Sequence, residues 1–259
     1  MAADKLPPKP FNLLPIWLSA LVAVLWMIIR DLELDFQALR YGAEDIAEYF
    51  SRYGAPDFSN MVDYMGLMID TLAIAFWGTA LAFMMAFVLA PLAARSLTPN
   101  RCVYRIVREL LNFMRAMPDL LLALVFVMAI GLGPMPGVFA LAIHSTGFLG
   151  KFFAESMERV PAGKYEALAA VGAGFTQTVF FAAWPSILRE AAGSTLYILD
   201  RNVRMATVLG LVGAGGIGSE LIDSLRMFRY EEAAALMIII LAVIIAIDNL
   251  SSTIRKAIQ

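Results

Sequence analysis

Arginine side chains within an otherwise apolar stretch are the residues whose chemistry most needs explaining. Arg201 and Arg204 flank Asn202, and Ser194 and Thr195 precede them in the same apolar run. A charged side chain at the centre of a bilayer costs about 2.5 to 3.5 kcal/mol on insertion scales, so an arginine there needs a reason. Guanidinium groups bind oxyanions through paired N–H donors. These residues predict a pathway for an anion. The alternative is that the arginines only anchor the chain at the outer membrane interface.

A second candidate site is centred on His144, the only histidine in the chain, which Ser145 follows directly. The pair suggests a base and a nucleophile, as in a hydrolase. Adjacent residues on a helix point about 100° apart, so these two side chains cannot form such a pair by themselves. We expect His144 to make a polar contact between helices or to line the pathway.

Glycines follow the arginines closely. Residues 213–218 satisfy the dinucleotide-binding pattern G-x-G-x-x-G, but no alternating strand precedes them and no βαβ unit surrounds them, which excludes a dinucleotide site. Non-helical backbone at membrane depth is tolerated where it lines a cavity or packs within protein. We predict a broken segment over 202–218 that gates the outer mouth of the pathway, or alternatively a close-packed helix crossing, at Gly210, Gly213, Gly215, Gly216 and Gly218.

The composition places all of these residues in a membrane protein. Of the 259 residues, 60% are hydrophobic and 16% are charged, and the mean hydropathy is +0.73. A soluble domain of this size is less apolar. The net charge of −2 provides no field that would attract phosphate backbones, which argues against a nucleic-acid partner.

Hydropathy predicts an all-α, polytopic bundle of about six transmembrane helices. We expect residues 1–65 to form an uncleaved signal-anchor helix with an outer amphipathic segment, and residues 66–259 to form the core. Pro118 in the third span predicts a kink or a late start of the regular helix. The predicted spans are residues 13–29, 67–92, 106–132, 138–153, 187–199 and 233–250, of which the fifth is only weakly apolar.

The distribution of Lys and Arg predicts that both termini face the cytoplasm. With that orientation most basic residues lie in inside segments, including the cluster that follows the second span at Arg95, Arg101, Arg105 and Arg108. The positive-inside rule favours this arrangement. It also places residues 157–186, here called the 157–186 loop, on the cytoplasmic side.

The 157–186 loop has more predicted structure than an ordinary connection. Residues 166–171 favour a helix, residues 172–174 interrupt it, residues 176–183 can resume it, and Pro185 marks the start of the next span. A compact helical projection of this kind suits a grooved partner protein. An ordinary interhelical loop is the alternative.

The spacing within this loop resembles the EAA loop of importer-type ABC transporter permeases. Glu166 and Ala167 stand for the Glu-Ala of the motif, Gly172 for its Gly, and Trp184-Pro185 for its closing Leu-Pro. The sequence departs from the usual pattern at Trp184, where an aliphatic residue is usual, and at Leu168, where alanine is usual. The resemblance implies that the loop docks on an ATPase through Glu166, Ala167, Gly172 and Pro185.

A second resemblance is more specific. Residues 203–218, with the strings at 131–134 and 143–147, are similar to permeases of phosphonate-type ABC importers, whose relatives take up phosphite and hypophosphite. This resemblance implies a type I (MetI-like) permease fold in the bacterial inner membrane. It also implies a second permease chain, identical or related, a periplasmic binding protein that delivers the anion, and two ATPase subunits that bind ATP and Mg.

Other function classes remain open on the sequence alone. An ABC permease for another small substrate fits the same pattern. A secondary transporter explains the spans, but it leaves the 157–186 loop without a purpose and usually has internal repeats. A membrane-embedded enzyme needs a catalytic constellation, and one histidine with one cysteine does not supply it. The sequence has no Walker loop, so any ATP is hydrolysed on another polypeptide. It predicts no catalytic residue, no metal site and no cofactor bound by this chain.

Overall fold

The computed structural model describes residues 13–31 and 36–258, and every regular element within these two ranges is helical. The prediction of an all-α fold is confirmed. The chain separates into two compact units, residues 1–52 and 53–259, which are described separately. The predicted functional division between residues 65 and 66 stays a prediction.

The first unit contains α1 (Leu14–Asp31) and α2 (Phe36–Ser51). The only proline of α1, Pro15, lies in its first turn, where a missing N–H costs nothing. Helix α1 corresponds to the predicted first span and is long and apolar enough to cross a membrane. The predicted amphipathic segment lies within α2.

The second unit is built around one long helix, α6 (Pro134–Glu158). In the most apolar 18-residue stretch of each helix, 72% of the residues are buried in α6, 33% in α3 and 22% in α11. Helix α6 packs against α3, α4, α5 and α9. The other helices are α3 (Met61–Ala93), α4 (Arg101–Ala116), α5 (Asp119–Ile130), α7 (Ala162–Ala170), α8 (Phe175–Thr178), α9 (Trp184–Gly210), α10 (Ile217–Arg226) and α11 (Tyr230–Ile258), with a π-helical turn (Val179–Ala183) between α8 and α9.

Among the described residues, four helices are long and apolar enough to span a membrane, namely α1, α3, α6 and α11. A fifth span results if α4 and α5 are counted together. The predicted fifth span lies within α9, which fails this test because charged residues such as Arg189, Glu190 and Arg201 interrupt its apolar sequence. The prediction of about six spans therefore exceeds the number that composition alone supports.

The predicted third span is not one straight helix. Helix α4 ends at Ala116, α5 begins at Asp119, and the two axes differ by 87°. Proline removes a helical hydrogen bond and clashes with the preceding turn, so the break at Met117-Pro118 follows from the sequence. The predicted kink is confirmed, and the bent pair α4–α5 counts as one span only if the two helices are taken together. Only α5, about 18 Å long at 1.5 Å per residue, continues as an apolar helix.

The predicted broken segment over 202–218 is shorter in the structure. Helix α9 continues to Gly210, because residues 203–209 contain no glycine or proline, and the chain resumes as α10 at Ile217. Between them, Gly213, Gly215 and Gly216 adopt φ values of +88°, +78° and +76°, a region that L side chains rarely enter. The break is thus confined to residues 211–216.

This glycine turn joins the ends of several helices. The Gly133 N–H, at the start of α6, donates to the Gly213 carbonyl oxygen at 3.0 Å. The Ile217 N–H donates to Thr71 Oγ1 of α3 at 2.9 Å. The hydrogen bonds fix the start of α6, the end of α9 and the start of α10 relative to Thr71, about three turns into α3.

Helices α9 and α10 cross at Gly210. A Cβ atom at Gly210 would lie 2.7 Å from both Gly218 Cα and Ser219 N. Backbone atoms cannot rotate away as a side chain can. The crossing therefore requires glycine at position 210.

We predict that Gly210→Ala lowers the midpoint of thermal unfolding of the purified protein in detergent. Overpacking against a backbone typically costs about 1 to 3 kcal/mol. The matched control is Gly193→Ala in the same helix, where nothing lies within 4 Å of an added Cβ. That substitution should be neutral or slightly stabilising. Equal midpoints for the two variants would contradict the close packing of α9 on α10.

Candidate anion pathway and coupling loop

One face of α9 is polar and is not covered by the residues that the structure describes. Ser194, Tyr197, Arg201 and Arg204 follow one another at intervals of three and four residues and so lie on the same side of the helix. Each is partly or fully exposed, whereas Ile198 and Leu209 on other faces are buried. We call these four residues the α9 stripe. A polar helical face at membrane depth needs protein or water next to it, because lipid cannot satisfy its donors and acceptors.

Arg201 is the centre of a cluster formed with Asp119, His144 and Phe148. Its Nη2 donates to His144 Nε2 at 2.8 Å and lies 3.4 Å from Asp119 Oδ2. Its Cζ lies 5.1 Å from the centroid of the Phe148 ring, which is the distance of a cation–π contact. Arg201 Nη1 is buried and has no hydrogen-bond partner in the described part of the chain.

His144 holds the guanidinium of Arg201 from one side. The His144 Nδ1–H donates to the Met117 carbonyl oxygen at 2.8 Å, so Nε2 presents a lone pair to Arg201. The end of α4 leaves the Met117 carbonyl without a helical partner. The break at Pro118 thus supplies the hydrogen-bond acceptor that orients His144. Ser145 points elsewhere, as expected for adjacent residues on a helix.

Asp119 is the functional candidate that the sequence analysis missed. It is the first residue of α5 and is only 7% exposed. Its Oδ1 accepts a hydrogen bond from the Leu120 N–H at 3.1 Å, and its Oδ2 faces Arg201. A carboxyl group that follows Pro118 and precedes an apolar run is a signal for this position, but only the fold brings it next to α9.

Asn202 lies on the buried side of α9, away from the α9 stripe. Its Oδ1 accepts from Ser145 Oγ of α6 at 2.9 Å, and its Nδ2 donates to Thr79 Oγ1 of α3 at 2.9 Å. Thr79 in turn donates to the Ala75 carbonyl at 2.7 Å. Asn202 and Ser145 are both fully buried, so these hydrogen bonds connect three helices inside the apolar core.

The remaining predicted pathway residues differ in what they contact. Arg204 donates to Asp200 Oδ2 at 2.5 Å, so its charge is balanced within α9, although its side chain is 45% exposed. Thr195 donates to the carbonyl of Ala191 in its own helix. Ser194 lines an open cleft. Of the predicted pathway residues, only Arg201 and His144 contact each other.

The open cleft has a volume of about 1070 Å³ and lies where the 157–186 loop joins α6 and α9. Basic side chains outnumber acidic ones in its wall, which includes Arg159, Lys164, Arg189 and Arg255 together with Glu155 and Glu190. Ser194 and Tyr197 line the cleft and also belong to the α9 stripe. One continuous polar surface therefore leads from Arg201 to this basic cleft.

The 157–186 loop has the helix–turn–helix shape that its sequence predicts. Helix α7 closes with a Schellman motif, in which the Gly172 N–H donates to the Ala169 carbonyl and the Ala173 N–H to the Leu168 carbonyl. Gly172 has a φ of +81°. Glu166, Ala167 and Pro185 are exposed, and Val171 is 79% exposed. The loop thus presents a short helix with an apolar tip to its surroundings.

Aromatic and hydroxyl groups attach this loop to the bundle. Trp184 stacks on Phe87 of α3 with a centroid distance of 4.2 Å, and packs edge-on against Phe153 of α6 at 5.5 Å. Tyr165 Oη donates to the Met157 carbonyl at 2.9 Å, and burial raises the pKa of this phenol. Packed side chains and one hydrogen bond therefore connect the loop to α3 and α6.

With this geometry in view, the comparisons with known proteins identify the family. Residues 78–259 match the family described as "binding-protein-dependent transport system inner membrane component". The chain belongs to this family. It is a multi-pass membrane subunit of an ABC transport system, and family membership implies ATPase and substrate-binding partners.

The relatives agree with this assignment. The chain is 41% identical over 223 residues to the phosphite transport system permease protein PtxC of Stutzerimonas stutzeri, covering 86% of this chain and 81% of that protein. It is 40% identical over 231 residues to the phosphate-import permease protein PhnE of Mycolicibacterium smegmatis, covering 88% of this chain and 43% of that protein. A chain of the MetNI methionine ABC transporter superposes with a TM-score of 0.69 at 20% identity, over 78% of this chain and 99% of that one. The predicted MetI-like fold is confirmed.

We predict that Asn202→Ala destabilises the folded bundle. The substitution leaves the hydroxyl groups of Ser145 and Thr79 without their shared partner, and an unsatisfied buried polar group costs about 1 to 3 kcal/mol. The measurement is the thermal unfolding midpoint in detergent. Thr195→Val is the matched control, because the Thr195 hydroxyl bonds only to its own helix. A midpoint for Asn202→Ala as high as that of the control would show that the three-helix hydrogen bonds do not stabilise the core.

Proposed function

We propose that this chain is the permease subunit of an ATP-driven importer of phosphorus oxyanions. The observation that carries the proposal is an arginine with an unused buried donor, Arg201, on a polar face of a helix in a chain that is 41% identical to a phosphite transport permease. Arginine binds tetrahedral oxyanions through two N–H groups at once. The alternative, a permease for another class of small substrate, explains this residue only if that substrate is also an anion.

The α9 stripe lines the transport pathway in this proposal. Its exposed residues would be costly to place against lipid tails, so a second permease chain covers them across a two-fold or pseudo-two-fold axis. The basic cleft is then the cytoplasmic end of the pathway, and both termini are cytoplasmic. The mass of the purified complex tests the assembly, because a single permease chain per two ATPases would contradict it.

The 157–186 loop is the coupling element in this proposal. ATP and Mg bind to two partner ATPase subunits, and each receives one loop in a surface groove. Glu166, Ala167, Gly172 and Pro185 shape the docked surface. The aromatic contacts of Trp184 give the ATPase a mechanical connection to α3 and α6.

The substrate class is tested by uptake into proteoliposomes that contain this permease with its ATPase and its binding protein. We expect ATP-dependent accumulation of phosphite, phosphate or a phosphonate. Methionine and glycine betaine serve as controls for other importer substrates and should not accumulate. Uptake of a control substrate with no uptake of any phosphorus oxyanion would overturn the proposal.

We predict that Gly172→Ala reduces ATP-driven uptake several-fold and that Gly172→Trp stops it. At a φ of +81° a side chain costs about 1 to 2 kcal/mol, so the Schellman turn opens and the loop loses its shape. The matched control is Gly163→Ala in α7, where an added Cβ meets nothing within 4 Å and φ is ordinary. The measurements are uptake and co-purification of the ATPase. Normal uptake and normal co-purification by Gly172→Trp would exclude the loop as the coupling element.

A further inference from the structure

We infer that Asp119, His144 and Arg201 form a transient binding site for the transported oxyanion, in which the carboxylate of Asp119 occupies the place of the anion until substrate arrives. The inference rests on the proposed function, because that function supplies the anion. It adds Asp119 to the site, as a carboxylate that competes with the substrate anion for Arg201.

The guanidinium of Arg201 is not saturated in this structure. Nη2 makes both polar contacts, while Nη1 makes none within the described residues. The Arg201–Asp119 distance of 3.4 Å exceeds the roughly 2.7 to 2.9 Å of a strong charge-assisted hydrogen bond. The ion pair is therefore loose and leaves donors unused. A phosphorus oxyanion carries at least two oxygens on one phosphorus atom and can engage Nη1 and Nη2 together.

The carboxylate of Asp119 already contacts the two elements that would bind an anion. Oδ2 faces Arg201, and Oδ1 accepts from the Leu120 N–H in the first turn of α5. The first N–H groups of a helix and its positive dipole end favour an anion. Helix α5 has 12 residues, which is long enough for this effect. The carboxylate thus occupies the position that suits an oxyanion.

His144 positions the guanidinium for this exchange. Its Nδ1–H is held by the Met117 carbonyl, so its Nε2 can only accept from Arg201. Phe148 packs on the guanidinium with its ring face. These two contacts keep Arg201 in place when the partner anion changes.

Exchange of one anion for another keeps the guanidinium of Arg201 paired at membrane depth, while the displaced Asp119 carboxylate retains its hydrogen bond from the Leu120 N–H. Arg201 would be costly without a counter-ion, and Asp119 provides one whenever substrate is absent. The same competition weakens substrate binding, as transport requires, since an anion held too tightly would not leave. The Arg201 side chain is 25% exposed and belongs to the α9 stripe, so an anion can reach it along that face of the helix.

The test measures phosphite binding to the purified permease–ATPase complex, without the binding protein, by isothermal titration calorimetry. Removal of the competing carboxylate by Asp119→Asn should tighten phosphite binding about tenfold or more. Addition of Arg201→Gln to that variant should abolish binding. If Asp119→Asn binds no more tightly than the wild type, or if binding survives Arg201→Gln, the inference fails.

The matched control is Glu158→Gln, which removes the carboxylate that lies 2.9 Å from Arg108 Nη1 between α6 and α4. Phosphite affinity should not change, because Arg108 belongs neither to the cluster nor to the α9 stripe. A second variant provides a test if the Asp119→Asn complex does not fold. Arg201→Lys keeps the positive charge but loses the paired N–H donors, so uptake should fall about tenfold. The loaded binding protein should still stimulate ATP hydrolysis by this variant. Unchanged uptake by Arg201→Lys would overturn the inference.

These outcomes separate the inference from the proposed function. Uptake of phosphorus oxyanions by the wild-type complex with its binding protein tests the function alone. If the wild type transports them and the variants behave as the wild type does, only the role of Asp119 and Arg201 is wrong. If the wild type transports none, the function itself is wrong.

Discussion

The structure depends on one constraint: a polar group at membrane depth must find its partner within the protein. Asn202 satisfies this constraint by bonding to Ser145 on α6 and Thr79 on α3. All three side chains are buried. Apolar packing alone does not depend on direction, whereas these hydrogen bonds require the three helices to face one another in one orientation. They fix the rotation of α9 about its axis, and with it the side of the bundle on which the α9 stripe lies.

That fixed rotation gives neighbouring residues different roles. Because adjacent helical positions point about 100° apart, Asn202 enters the core while Arg201 turns toward α5 and α6. Arg201 meets a histidine oriented by the broken end of α4 and a carboxylate at the start of α5. The break at Pro118 is therefore a feature of the site as well as of the fold.

The two ends of α9 are held by different means. At one end, Gly210 lets α10 cross at backbone contact, and the glycine turn bonds to α3 and to the start of α6. At the other end, Trp184 packs between Phe87 and Phe153, next to the π-helical turn. Both ends of α9 are therefore packed against other helices of the second unit, as the proposed coupling role would require.

The sequence by itself determined the features that depend on local chemistry. Hydropathy predicted an all-helical membrane chain, Pro118 predicted the break, and the residues at 166–174 predicted a short helix with a glycine turn. Propensity and sterics act within a few residues, so one chain segment suffices to reveal them. The glycine pattern also indicated close backbone approach, although the helical residues 202–210 were wrongly included in the broken segment.

The tertiary structure alone decided which polar residues meet. Asp119 and Arg201 are 82 positions apart, and Asn202 and Thr79 are 123 positions apart. No periodicity encodes such pairs, because they arise only when α3, α5, α6 and α9 pack together. The sequence grouped Arg201, Asn202 and Arg204 because they are neighbours in the chain. Packing gave them three different surroundings. Arg201 has a loose counter-ion, Asn202 has buried hydrogen bonds to two other helices, and Arg204 has an ion pair within its own helix.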